Sequence, residues 1–109
     1  MKPFASVLRR SERCAKLRPT NFQILKTPNR IVLYSRPLCG WCLEAKAWLD
    51  AIGWRYEVRD TGADAEAKAR AERISGVTLV PVIEVDGRVL GDFDTGQLEQ
   101  FLKQHGYLA

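Results

Sequence analysis

The 109-residue chain has only three cysteines, one histidine and one methionine, and no apolar stretch approaching the roughly 20 residues that a membrane-crossing helix needs. That excludes a helical membrane span. An odd number of cysteines, with no signal-type apolar core after Met1, argues against a secreted domain stapled by disulfides and for a reducing compartment, where a close cysteine pair is usually catalytic or metal-binding. No internal repeat occurs, and the only compositional bias is an alanine-rich stretch after Thr61. The length suits one domain with a single core.

Basic residues are unevenly spread. Residues 1–30 hold eight Lys/Arg and one Asp/Glu, a net +7, which leaves nine against twelve, or −3, for the remainder. The first stretch places Phe4, Val7 and Leu8 at helical spacing among arginines and is broken by Pro19 and Pro28. It reads as a basic extension over 1–29 ahead of a domain over 30–109, and its acid-poor character also fits an organelle transit peptide or contact with an anionic surface. Cys14 lies within it.

Beyond the extension the patterns change element by element. "IVLYS" from Ile31 is a β-rich apolar run closed by Pro37, and Leu43, Ala47 and Trp48 predict a helix over Cys42 to Asp50 that ends at Gly53. Trp54, Tyr56 and Val58 alternate with charged residues as in a half-buried strand. A second helix is expected to open at Thr61, three residues before Asp64, and to close after Ile74 at Gly76. "VIEV" and "RVL" flank Asp86-Gly87, a strong hairpin signal, and the last helix should take Asp94 as N-cap with Gln97 at its third position, burying Leu98, Phe101 and Leu102. The order is β-α-β-α-β-β-α, an α/β class with a four-stranded mixed sheet and flanking helices.

Within that order the stretch "YSRPLCGWC" puts Cys39 and Cys42 where a strand passes into a helix. Orphan N–H groups and the positive end of the helix dipole meet there, so a thiolate at Cys39 is favoured by them and by Arg36, while Cys42, one turn further, is more enclosed and placed to attack a disulfide formed on Cys39. Structural zinc is the first competing use of such a pair, but the chain offers no second CxxC, only Cys14 and His105 without ligand spacing. An inert buried pair is the other. Trp41 reads either as a stacking surface for a substrate disulfide or as a shield over the sulfurs.

"YSRPLCGWC", "LVPVIEVDG" and "LGDFDTGQLEQFL", in that order and spacing, resemble a glutaredoxin of the thioredoxin-like superfamily over about residues 30–106. The resemblance implies that Cys39 is the nucleophile, that Cys42 resolves, and that Arg36 is the basic residue preceding the motif. It also implies a cis bond before Pro81, with the Val80 backbone pairing with the cysteinyl part of the substrate. Glutathione is then expected along Arg36, Trp41, Val80, Pro81, Gly91, Phe93 and Asp94, the amides near Phe93 and Asp94 meeting its γ-glutamyl carboxylate. The sequence departs from the family's usual Gly-Gly at Gly91-Asp92, from its Asp-Asp at Asp94-Thr95, and from its Arg-Thr before Val-Pro at Thr78-Leu79.

The resemblance implies a glutathione-dependent thiol–disulfide oxidoreductase that reduces protein disulfides or glutathione mixed disulfides in cell redox homeostasis and electron transport. Glutathione serves as reductant, with no tightly bound cofactor and no metal. The expected partners are glutathione and disulfide-containing or glutathionylated proteins, with no nucleic acid, for a cytoplasmic monomer. Two alternatives stand beside it: an electron donor driven by thioredoxin reductase, and a scaffold for a [2Fe–2S] cluster ligated by glutathione.

Overall fold

The computed structural model describes residues 23–109; the expectations for Phe4, Val7, Leu8 and Cys14 lie outside the described residues. Seven elements follow in the expected order: β1 (Ile31–Ser35), α1 (Gly40–Ile52), β2 (Glu57–Asp60), α2 (Ala65–Ser75), β3 (Val82–Val85), β4 (Arg88–Gly91) and α3 (Thr95–Gln104). The sheet runs β2-β1-β3-β4, with β1 and β2 parallel and the other two pairings antiparallel.

β1 is buried at every position because the sheet is covered on both faces. Ile31 and Leu33 join Leu49, Ile83, Val85, Phe93, Leu98 and Leu102 in the larger core under α1 and α3, whereas Val32 and Tyr34 pack with Ala67, Ala71 and Val82 under α2. Small alanines on the inner face of α2 let that helix lie close to the sheet. Burying each large aliphatic side chain contributes about 1.5–3 kcal/mol, so the larger core supplies most of the cohesion.

Several boundaries differ from the sequence reading, each for a local reason. α1 begins two residues early, at Gly40, and buries Cys42, Ala45, Trp48, Leu49 and Ala51, while Leu43 faces solvent. The periodicity through Leu43 and Ala47 selected a neighbouring stripe of the same helix. β2 starts only at Glu57, after buried Trp54, and Val58 is exposed, level with Leu33 but on the edge strand of the sheet. Asp64, not Thr61, caps α2, its Oδ1 accepting from the N–H groups of Glu66 and Ala67. Thr61 is instead buried at the end of β2, its amide and its Oγ1 both donating to the Ser35 carbonyl. The hairpin and the last helix form as expected, with Asp86 and Gly87 at φ 50° and 86° and a complete capping box between Asp94 and Gln97.

The segment before β1 runs along the C-terminus. Ile24 bridges Leu108, the Leu25 amide donates to the Tyr107 carbonyl at 2.9 Å, and the Ala109 amide donates to Gln23 O.

Candidate active site

β1 ends against the loop 36–39, and α1 rises from it. Pro37 and Leu38 form the turn; Leu38 has φ 64°, a left-handed conformation unusual for leucine, and its side chain is 99% exposed. Cys39 follows as the N-cap of α1, half-buried and in extended backbone geometry. Its Sγ takes the place of the usual capping oxygen and accepts the Cys42 N–H at 3.3 Å. The sulfur of Cys39 therefore sits on the helix N-terminus.

Cys42 is fully buried on the inner face of α1. Burial, reinforced by the hydrogen bond with Cys39, pushes its thiol up to about 12, against a smaller opposing effect of the Arg36 backbone. Near neutral pH this thiol is protonated and reaches only what is already attached beside it. The two sulfurs thus occupy unlike environments on one helical turn, an outer one open to a partner and an inner one reserved.

The remaining positions named from sequence fall into three groups. Arg36 and Val80 line one groove, together with Thr61, Lys68, Ala71, Glu72, Val77, Thr78 and Leu79. The Val80–Pro81 peptide is cis, Pro81 is buried, and its carbonyl accepts the Asp92 N–H at 2.8 Å, which ties this loop to the turn after β4. Trp41 is 57% exposed on the first turn of α1. Gly91, Asp92, Phe93 and Asp94 form the turn into α3. A Cβ on Gly91 would come within 2.8 Å of Val77 Cγ2 and 3.0 Å of Ser75 Cβ, so the C-terminal end of α2 requires glycine there. Asp92 has φ 52°.

Phe93 contributes its side chain to the core rather than to the surface. The Asp94 amide is already engaged, donating to Gln97 Oε1 at 3.0 Å in the capping box. A carboxylate arriving at this helix start would have to displace Gln97 to use that amide.

Lys68 was not anticipated from sequence. It lies 32 positions from Arg36 on the exposed side of an alanine-rich helix, and no local pattern marks it; only the packing of α2 beside residues 77–80 brings its charge to the groove. Glu72, one turn along, stands 3.8 Å from its Nζ and partly neutralises it.

A glutaredoxin family model matches residues 31–90, more than half of the chain. The chain belongs to the glutaredoxin family. A glutaredoxin of Ricinus communis is 29% identical over 97 residues, covering 80% of this chain and 95% of that protein. An uncharacterized glutaredoxin-like 8.6 kDa protein in the rubredoxin operon of Clostridium pasteurianum is 24% identical over 74 residues, covering 68% of this chain and 99% of that protein. Among solved structures, a thioredoxin-like protein superposes with a TM-score of 0.62 at 30% identity, covering 67% of this chain and 100% of its own. The four-stranded mixed sheet with three helices is thus the thioredoxin-like fold, and family and fold together support thiol oxidoreductase chemistry for this glutaredoxin. The family match stops at Leu90, just before the Gly91-Asp92 turn where the sequence departs from the usual glycine pair.

Proposed function

We propose that this glutaredoxin reduces protein disulfides and glutathione mixed disulfides with electrons from glutathione, Cys39 acting as nucleophile and Cys42 as resolving thiol. The observation that carries this reading is the asymmetry of the pair: an accessible sulfur capping α1 and a fully buried thiol one turn behind it.

The Cys39 thiolate attacks one sulfur of the substrate disulfide; a new S–S bond forms, the old one breaks, and the departing sulfur leaves as a thiolate that takes a proton from water. With a protein disulfide, Cys42 loses its proton and attacks Cys39 Sγ, releasing the second substrate thiol and leaving a Cys39–Cys42 disulfide. Two glutathione molecules then reduce that disulfide and leave as glutathione disulfide. With a glutathione mixed disulfide, the protein thiol departs and a second glutathione resolves Cys39 directly.

Arg36 and Lys68 give the groove two cations for a carboxylate, and Val80 offers backbone groups to an extended cysteinyl peptide in the manner of an added strand. Trp41 supplies an exposed aromatic face beside the sulfurs, and the turn through Gly91, Phe93 and Asp94 is the second carboxylate position. In this reading the protein is a monomer of the cytoplasm, or of an organelle if its basic extension directs it there. No helix among the described residues is long and apolar enough to cross a membrane.

A second electron source is favoured by one specific observation. Because the capping box holds the Asp94 amide and Asp92 adds a negative charge beside it, the α3 entrance is a poorer carboxylate site, which suits reduction by thioredoxin reductase instead of glutathione. Turnover of a protein disulfide coupled to glutathione and its reductase, compared with turnover coupled to thioredoxin reductase, separates the two sources. In the same assays Cys39→Ser should abolish all exchange, whereas Cys42→Ser should keep reduction of glutathione mixed disulfides and lose that of protein disulfides. Activity surviving in Cys39→Ser would reverse the roles assigned to the sulfurs.

A further inference from the structure

The turn through Leu38 needs a left-handed backbone, but nothing in the packing explains why a leucine occupies it. Its side chain is 99% exposed and so packs on almost nothing, yet its backbone is held at φ 64°, where a leucine is disfavoured and glycine or asparagine would rest more easily. Residues kept in such a conformation beside a reactive group point to a use for it. Here the effect is to present an apolar side chain to solvent on the residue directly before the nucleophile.

Leu38 is not isolated. Of the large apolar side chains exposed among the described residues, Trp41 lies on the first turn of α1 between the two cysteines, and Leu79, 58% exposed, lies on the wall of the groove that also includes Arg36 and Val80. Leu38 and Trp41 therefore flank Cys39 closely along the chain, and Leu79 adds an apolar side chain to the groove that also includes Arg36, three residues before the sulfur. Glutathione cannot satisfy this rim. It is a small peptide with two carboxylates and one ammonium group, whose only apolar part adjoining the sulfur is one methylene and whose charged groups favour the cations of the groove over an apolar rim. A longer polypeptide bearing apolar side chains next to its cysteine covers what glutathione leaves in water.

We propose that Leu38 determines substrate choice by docking polypeptide disulfides whose reacting cysteine is flanked by apolar side chains. This rests on the oxidoreductase reading above and names its substrate class. The chemistry is unchanged: the pre-reduced Cys39–Cys42 pair gives two electrons and two protons to the polypeptide, which ends with two thiols, and the pair ends as a disulfide.

The test is a single turnover by the pre-reduced full chain, so that no external reductant enters the measurement. Three substrates are compared: a short peptide closed by one disulfide with Leu and Phe beside one cysteine, the same peptide with Ser at those positions, and bis(2-hydroxyethyl) disulfide. The parent protein should reduce the Leu/Phe peptide about fivefold faster than the Ser peptide at limiting concentration, the advantage of partly burying one leucine. Leu38→Asn, which tolerates the left-handed backbone, should erase that preference and leave the rate with bis(2-hydroxyethyl) disulfide within about twofold of the parent. Leu38→Met should retain the preference. A parent without preference between the peptides, or an Asn variant slowed equally on all three substrates, overturns the docking role. A parent that reduces none of the three overturns the oxidoreductase reading itself, and the docking role with it.

Discussion

Asp92 shows how one residue can satisfy the backbone and still oppose the ligand expected beside it. Its φ of 52° is a conformation that aspartate adopts more readily than most side chains, and its amide is bound to the Pro81 carbonyl, so the turn forms without the second glycine usual in glutaredoxins. Its charge is another matter. Next to a helix start that would receive the γ-glutamyl carboxylate of glutathione, a second carboxylate at ~6 Å interacts unfavourably by about 0.7–3 kcal/mol before salt screening. Asp92→Gly removes the charge and keeps the left-handed backbone. It should therefore lower the Michaelis constant for glutathione several-fold, more at low ionic strength, with Cys39 alkylation largely unchanged. Steady-state kinetics at two salt concentrations check this; a constant that is unchanged or raised at low salt would show that Asp92 faces away from the bound thiol.

At the scale of elements, what was legible was whatever a local pattern dictates. The Asp86-Gly87 turn, the Asp94 and Gln97 capping box, the apolar run of β1 and the glycines closing α1 and α2 all act through neighbours within a few positions. What was not legible depended on distant partners. The exposed face of Leu43, the edge position of Val58 and the use of Thr61 to bind Ser35 follow from which element covers which, as does the arrival of Lys68 at the groove. In the site, the cysteine pair was readable from its spacing, but the engagement of the Asp94 amide by Gln97 was missed although both residues were named as a cap. A helix cap and an anion site compete for the same donors. Gly91 has a requirement of this non-local kind. Gly91→Ala would push a methyl group against Val77 and Ser75 at the end of α2, and the residues that must yield include the groove wall at 77–80. An expected loss of about 1–3 kcal/mol in urea denaturation should come with weaker glutathione binding. A variant as stable as the parent would mean that the end of α2 gives way freely.

For the whole molecule, one carboxylate joins three parts of the chain. Asp86 Oδ1 accepts the amides of Asn29 and Arg30 at 3.0 and 2.9 Å, and Oδ2 accepts the Tyr107 hydroxyl at 2.6 Å, so the hairpin holds both the segment entering β1 and the C-terminus. The phenol first, then the backbone amides and the charge of Lys26, hold the pKa of Asp86 below the ordinary carboxylate value, outweighing partial desolvation. A carboxyl depressed in this way stabilises the fold above its unfolded value, near ~4, and the contribution is lost as the pH falls through the lower folded value. Asp86→Asn should therefore be less stable than the parent at neutral pH, and the two stabilities should converge in acid. Residues 23–29 belong to this clasp through Ile24, Leu25 and Asn29. A protein lacking residues 1–29 is expected to melt roughly 10 °C below one lacking only residues 1–22, since the four hydrogen bonds that Gln23, Leu25, Lys26 and Asn29 make to Tyr107, Ala109 and Asp86 are lost, at about 0.5 kcal/mol net each in this exposed setting. The reactive pair lies at the opposite end of β1 from this clasp, so both truncated proteins should react alike at a temperature where both are folded. Equal melting temperatures would show that the clasp adds nothing to the domain, and unequal exchange rates below both transitions would show that it reaches the site.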